Sequence, residues 1–383
     1  MSSDFLPFAK PCLDEATIAE VVACLKSGWL TTGPRVKQFE QALSTYCGDA
    51  RALTFSSATA ALHISLLCLD LQPGDEVITT AMTFVATLNT IVQAGGKPVL
   101  IDINWYDNNM DMAQLEAAIT PRTKAIMPVH FAGLPVDLAP LYALAEKYQL
   151  RVVEDCAHAI GAGYEGKKLG TFGDMQVFSF HPNKNMTTGE GGCLITRDQE
   201  LAEKAARLRF HGIDRDAFNR FSKTGSQDYD VVAPGFKYNM MDLQAAIGLH
   251  QLPQLDGFIK KRTQLVARYY ERLAHCQALQ LPKMPSYAHE HAWHLLTALV
   301  NPQKTALSRD EVMERLKEQG VGTGYHYRAV HLFSYYQQQF GWKKGDFPNA
   351  EMVSERVFSL PLFPDLTLEQ QDNVIDKLLK LFN

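Results

Sequence analysis

Short apolar runs alternate with helical spacing through the first half of the chain. Between about residues 50 and 200, the runs 52–55, 76–79, 98–101, 125–129, 151–154, 175–180 and 193–196 predict strands. Helical patterns such as 59–69 and 138–148 fall between several of them. Such alternation predicts a mostly parallel α/β sheet covered on both faces, with ligands at the carboxyl ends of its strands. Upstream, Asp14 is placed to cap a helix in which Ile18, Val21, Val22 and Leu25 keep helical spacing, and Ser27-Gly28 stops it. Beyond residue 240 the pattern changes. A helix over 241–251 is broken by Pro253, and a long amphipathic helix follows over 254–274. A loop with Pro282 and Pro285 leads to a strand over 294–300, a helix over 308–319 and closing helices. The expectation is a large α/β domain over residues 13–251 and a smaller α+β domain over 252–383, the latter joined by residues 1–12. There is no internal repeat and no low-complexity segment.

Composition narrows the class. At 383 residues two domains are the fair prior, and 46% hydrophobic with 21% charged content is ordinary for a globular enzyme. A formal net charge of −5 argues against a generic nucleic-acid binder, while leaving room for an anionic small substrate. No apolar run approaches a membrane span, and Met1-Ser2-Ser3-Asp4-Phe5 lacks the character of a signal peptide. The seven cysteines are scattered, with no pair spaced as metal ligands, which fits reduced thiols in the cytoplasm. His289, His291 and His294 cluster with Glu290, but in a short loop without a second cluster, and are not read as a metal site.

The candidate chemistry lies in residues 154–192. Asp155 follows the apolar run 151–154, and Lys184 follows the run 175–180, so an acid and a lysine fall at neighbouring strand ends. Each alone has a bland reading: a solvated acid, and a surface lysine between Asn183 and Asn185. Together they suit pyridoxal 5′-phosphate, which takes a lysine for its Schiff base and a carboxylate to keep its ring nitrogen protonated. Ser56-Ser57-Ala58-Thr59-Ala60 follows a strand and opens a helix, where small residues admit a phosphate to the positive helix end. Alone that segment reads as a helix cap. His158 is either a cofactor contact or a packed imidazole. Gly189-Glu190-Gly191-Gly192 lacks the ending of a phosphate loop and reads as a tight turn.

These segments resemble the DegT/DnrJ/EryC1 family of sugar aminotransferases. The resemblance rests on Glu154-Asp155 with His158, Ser179-Phe180-His181-Pro182 with Lys184-Asn185, and Gly189-Glu190-Gly191-Gly192. It extends to residues 28–34, 56–60, 74–78 and 235–240. It implies fold type I of the pyridoxal-phosphate enzymes, L-glutamate as amino donor, a nucleotide-linked keto sugar as acceptor, and a homodimer with shared active sites. Within the family, residues 119–126, 291–295, 322–329 and 359–365 resemble the branch that makes UDP-4-amino-4-deoxy-L-arabinose for lipid A, from UDP-4-keto-arabinose. Phe84 and the segments 181–184 and 188–189 depart from that branch and lean toward the wider family, which acts on other UDP- or dTDP-linked keto sugars.

By position, the resemblance makes Lys184 the Schiff-base lysine and proton shuttle, and Asp155 the partner of the ring nitrogen. It implies that Phe84 stacks on the ring and His158 lies near its phenolic oxygen. Ala58, Thr59 and Ser179 would bind the phosphate, with Asn239 from a neighbouring subunit. Thr31, Thr32 and His326 would line the sugar side. A dehydratase of the same fold carries histidine in place of the lysine, and an inert regulator of the fold would have lost Lys184 or Asp155. Both residues are present.

Overall fold

The computed structural model describes residues 5–214 and 229–382. Residues 1–4, placed with the small domain by the sequence reading, lie outside the described residues. A seven-stranded sheet carries the first half, in the order Arg51–Phe55, Gly192–Thr196, Met175–Ser179, Arg151–Asp155, Thr123–Ile126, Glu76–Thr80, Lys97–Ile101. Only Gly192–Thr196 runs against its neighbours; the other pairings are parallel. Helices cover both faces, so strands such as Glu76–Thr80 and Met175–Ser179 are buried at every position. That double burial is why they read as continuous runs and not as alternating ones.

The expected strand over 125–129 is cut short. Pairing holds over Thr123–Ile126, and Met127 still donates to the Ile78 carbonyl at 2.7 Å. Pro128 has no N–H to continue the ladder, and Val129 rejoins as a single bridge to Asp155.

Asp14 caps the helix Glu15–Ser27, its carboxylate accepting from the Thr17 N–H at 2.8 Å, and Gly28 ends it at φ 72°, a left-handed turn that suits glycine. The apolar stripe of this helix faces outward: Ile18, Val22 and Leu25 are 48%, 40% and 52% exposed.

The second half builds a three-stranded antiparallel sheet from Leu279–Gln280, Leu296–Val300 and Val357–Leu360. Helices Leu255–Leu273, Arg309–Glu318 and Leu368–Lys380 close over it through a core that includes Leu265, Tyr269, Leu316, Phe358 and Ile375. Leu6 pairs in parallel with Val321, which brings the N-terminal segment onto this half. The two halves are pinned to one another. Asp102, just past the strand Lys97–Ile101, accepts from the N–H groups of Asn349 and Ala350 at 2.9 Å each, at the start of helix Pro348–Arg356. The strand expected over 294–300 begins at Leu296, and His294 turns instead toward Lys184.

Candidate active site

Asp155 is the last residue of its strand and is 5% exposed. Thr87, from helix Val85–Gln93, donates its hydroxyl to Asp155 Oδ2 at 2.8 Å, and the Ala157 N–H donates to Oδ1 at 3.1 Å. Thr83 stands 2.7 Å behind Thr87, hydroxyl to hydroxyl. Burial raises the Asp155 pKa, against the pull of these donors and of Lys184. The carboxylate therefore gains from any further positive or N–H partner placed against it.

Lys184 lies in the turn after the strand Met175–Ser179, its N–H donating to the His181 carbonyl at 2.9 Å. Dense packing pulls its ammonium down to about 8, with Asp155 opposing the shift. Three imidazoles surround it. His294 is buried with Nε2 3.4 Å from Lys184 Nζ, and its Nδ1 is buried without a partner. His158 packs on His294 with ring centres 4.5 Å apart. His326 meets the Ser359 hydroxyl at 2.8 Å and packs on Phe8. Burial, reinforced by Lys184, lowers all three: His158 and His294 fall well below the ordinary histidine value and His326 falls to about 3. The imidazoles beside Lys184 therefore stay neutral.

Phe84 stands just before helix Val85–Gln93 and is 55% exposed, its ring 5.9 Å from that of Tyr327. An exposed aromatic offers a face to a flat ring. The far end of the site is the start of helix Ala58–Leu67. Ser57 caps it, its hydroxyl accepting from the Ala60 N–H at 3.1 Å. That leaves the Ala58 and Thr59 N–H groups at the positive helix end, where an anion binds. Gly192, paired with Ser179, passes so close that a Cβ there would stand 2.4 Å from the Ala58 nitrogen. Only glycine lets the two strand ends and the helix start form one cradle.

Asn239 bridges Phe55, at the end of the strand that leads into this helix start, and gathers with the Thr31-Thr32 turn. Asn239 donates to the Thr32 hydroxyl and accepts from Lys237 Nζ at 2.7 Å, and Thr32 in turn donates to the Met240 carbonyl at 2.6 Å. The helix Asp242–Gln251 starts on Met241, so Asn239 is not its cap. Thr32 and Asn239 face a cavity of about 450 Å³, also lined by Lys37 and Arg209.

Sequence reasoning missed Thr87, His294 and Tyr327. His294 had been grouped with His289 and His291, but these turn apart: His291 stacks on Trp293 with ring centres 3.7 Å apart, and His289 meets the Tyr287 carbonyl at 2.9 Å. His130, Glu154 and Cys156 do converge. His130 Nδ1 accepts from the Val136 N–H at 3.0 Å, however, so Nε2 carries the proton given to Glu154 at 2.8 Å. That pair is a hydrogen bond and not two metal ligands.

The sequence matches the DegT/DnrJ/EryC1/StrS aminotransferase family over residues 11–379. It is 44% identical over 376 residues to the spore coat polysaccharide biosynthesis protein SpsC of Bacillus subtilis (strain 168), covering 97% of this chain and 96% of SpsC. Spr1654 from Streptococcus pneumoniae, described as a sugar aminotransferase and solved in its PMP form, superimposes with a TM-score of 0.91 at 34% identity, over 98% of each chain. PseC from Helicobacter pylori, an aminotransferase of pseudoaminic acid biosynthesis, superimposes with a TM-score of 0.90 at 32% identity, over 99% of each chain.

Proposed function

The chain belongs to the DegT/DnrJ/EryC1/StrS aminotransferase family, and on that premise we propose that it moves an amino group from L-glutamate to a nucleotide-linked 4-keto sugar. Like its family and its solved neighbours, it is a pyridoxal-phosphate-dependent sugar aminotransferase of fold type I. The observation that carries the residue assignment is the Asp155–Lys184 pair, enclosed by imidazoles held neutral.

The residues present fit the cofactor. Asp155 is short of a positive partner, Lys184 is drawn toward its neutral, nucleophilic form, and Gly192 clears the helix start for a phosphate. Pyridoxal phosphate, when bound, supplies a ring that takes up the electron pair released at the amino-bearing carbon. Asp155 would hold the proton on the ring nitrogen, with Thr87 and the Ala157 N–H fixing the carboxylate's direction. Ala58, Thr59 and Ser179 would hold the phosphate, and Phe84 would cover the ring. Lys184 would attach the cofactor and later carry the proton from one carbon to the next. The neutral imidazoles of His158, His294 and His326 would leave that proton no competing base of similar strength.

Two readings of the acceptor sugar differ. The likeness to SpsC, a spore coat polysaccharide biosynthesis protein, supports an acceptor sugar destined for a cell-surface polysaccharide. The segments 119–126, 291–295, 322–329 and 359–365 favour UDP-4-keto-arabinose. The first is preferred, because Phe84 and residues 181–184 depart from the lipid A branch. A screen of UDP- and dTDP-linked keto sugars with glutamate, read as 2-oxoglutarate formed, separates them. Turnover confined to UDP-4-keto-arabinose would reverse that preference, and no turnover on any 4-keto sugar would overturn both.

A homodimer would give the outward stripe of Ile18, Val22 and Leu25 a partner, and would place a neighbour against the cavity at Asn239. No helix among the described residues is long and apolar enough to cross a membrane. All seven cysteines are free, which supports the cytoplasmic reading.

A further inference from the structure

The sequence reading placed His158 against the phenolic oxygen of the cofactor. In the structure both ring nitrogens of His158 are already engaged. Nδ1 receives the Ala132 N–H at 3.2 Å, and Nε2 lies 3.0 Å from the Tyr327 hydroxyl. A backbone N–H can only donate, so Nδ1 carries no proton. Burial keeps the ring neutral, and a neutral imidazole holds one proton, which must then sit on Nε2. His158 therefore donates to Tyr327, and the Tyr327 oxygen accepts. The tyrosine's own proton is left to point elsewhere, and among the described residues no acceptor receives it. Burial, with the Asp155 carboxylate adding to it, raises the Tyr327 hydroxyl well above its ordinary value, so that proton stays on.

The place of Tyr327 limits what it can meet. Its ring lies 5.9 Å from Phe84 and 6.1 Å, edge on, from Phe131, and its charge environment includes Asp155. Of the polar atoms of pyridoxal phosphate, the ring nitrogen is matched by Asp155, the phosphate by the start of helix Ala58–Leu67, and the reactive carbon by Lys184. The atom left without a partner is the phenolic oxygen, an acceptor. We infer that the Tyr327 hydroxyl, and not the His158 imidazole, donates to that oxygen, and that His158 is the positioning residue that aims it.

A donor at the phenolic oxygen draws charge from it. It thereby weakens the oxygen's hold on the proton at the nitrogen joining Lys184 to the cofactor. Removing the donor raises the pKa of that proton. The probe is the pH midpoint of the visible absorption of the cofactor-loaded protein, which needs no sugar substrate and so stands apart from the acceptor question. The inference rests on Lys184 as the attachment point, which borohydride reduction and mass mapping of the labelled peptide report separately.

Tyr327→Phe keeps the ring packing and should move the midpoint up by roughly one to two units, the worth of one hydrogen bond to a charged atom. His158→Met leaves the tyrosine in place but unaimed, and should move it the same way by less than half as much. His158→Gln, which can accept and donate at once, should restore most of the wild-type midpoint. The double variant should match Tyr327→Phe alone. An unmoved midpoint in loaded Tyr327→Phe overturns the inference. So does a His158→Met shift as large as one full donor. If Tyr327→Phe does not hold the cofactor, the size of the His158→Met shift decides by the same criterion.

Discussion

Asp155→Asn keeps the shape of the side chain and removes its charge, and its effect should change sign with the cofactor. In the cofactor-free protein the amide oxygen can keep the Ala157 N–H, now 3.1 Å from Oδ1. The amide nitrogen then faces Thr87, whose hydroxyl can turn to accept and pass its own proton to Thr83, 2.7 Å away. That rearrangement costs about 1 kcal/mol or less. Against it stands a gain. The folded pKa of Asp155 lies above the ordinary value of 3.8. A folded pKa raised in this way makes the ionised carboxylate a cost that is absent below 3.8 and grows as pH rises through the raised value. Asparagine does not carry this cost. The cofactor-free variant should melt within a few degrees of wild type and gain on it as pH rises across that window. With the cofactor bound, wild type keeps a charge-assisted hydrogen bond to the ring nitrogen, worth about 1.5–3 kcal/mol. The variant should bind roughly 10- to 100-fold more weakly, load at excess cofactor, and turn over at least that much more slowly. Melting curves with and without cofactor from pH 4 to 8, with kcat at saturating cofactor, make the test. A loaded variant with wild-type kcat would show that Asp155 serves structure alone.

Lys184→Ala should fold, lose the visible band and lose turnover; substantial transamination by the folded variant would remove Lys184 from its role. In cofactor-free wild type the Lys184 pKa of about 8 lies below its ordinary value of 10.5, so stability should fall as pH drops from 10.5 to about 8 and level off below it. Labelling of that amine, read by mass spectrometry, should rise steeply near pH 8, and a rise only near 10.5 would mean the amine is not desolvated. Gly192→Ala sets a Cβ 2.4 Å from the Ala58 nitrogen and should cost about 1–3 kcal/mol while sharply weakening cofactor retention; melting and equilibrium dialysis check both. Mixing Asn239→Ala with Lys184→Ala subunits under exchange should restore activity toward about one quarter of wild type, since half of randomly paired dimers are mixed and each has one intact site. Activity no greater than the sum of the two variants, with exchange demonstrated, would confine Asn239 to its own subunit.

The sheet was legible because its strands are buried on both faces, which leaves apolar runs of strand length between helical patterns. Asp155 was legible as the acid that ends such a run. Lys184 was legible only as its companion, since Asn183 and Asn185 make the segment look like surface. What the sequence hid lies on the far side of tertiary contacts. Thr87 comes from a helix 68 positions away from Asp155, and His294 reaches Lys184 across 110 positions. Neither has a local pattern that marks it. Helix Glu15–Ser27 was legible down to its cap and stop, yet spacing says only that Ile18, Val22 and Leu25 share a face. That the face opens outward depends on what packs beside it. Asn239 shows the same limit: a residue type suited to capping sits two positions early and turns to Thr32 instead.

Glu154 and Asp155 are adjacent, buried and alike in chemistry, and the structure separates them by what their oxygens already hold. Glu154 receives Tyr142 at 2.6 Å, His130 at 2.8 Å and Gln176 at 2.8 Å, and is wholly enclosed. Its acceptor capacity is spent on neutral donors that fix the strand edge. Asp155 receives two donors and keeps lone pairs facing the pocket, at the point where the strand points its side chain toward Lys184. The same test sorts the histidines. His130 is saturated by Val136 and Glu154, whereas His294 turns Nε2 to Lys184 and leaves its Nδ1 buried without a partner. A buried polar atom without a partner is expensive. Among the residues the chemistry draws on, the unspent hydrogen-bonding capacity gathers at Asp155, His294 and Tyr327, around Lys184.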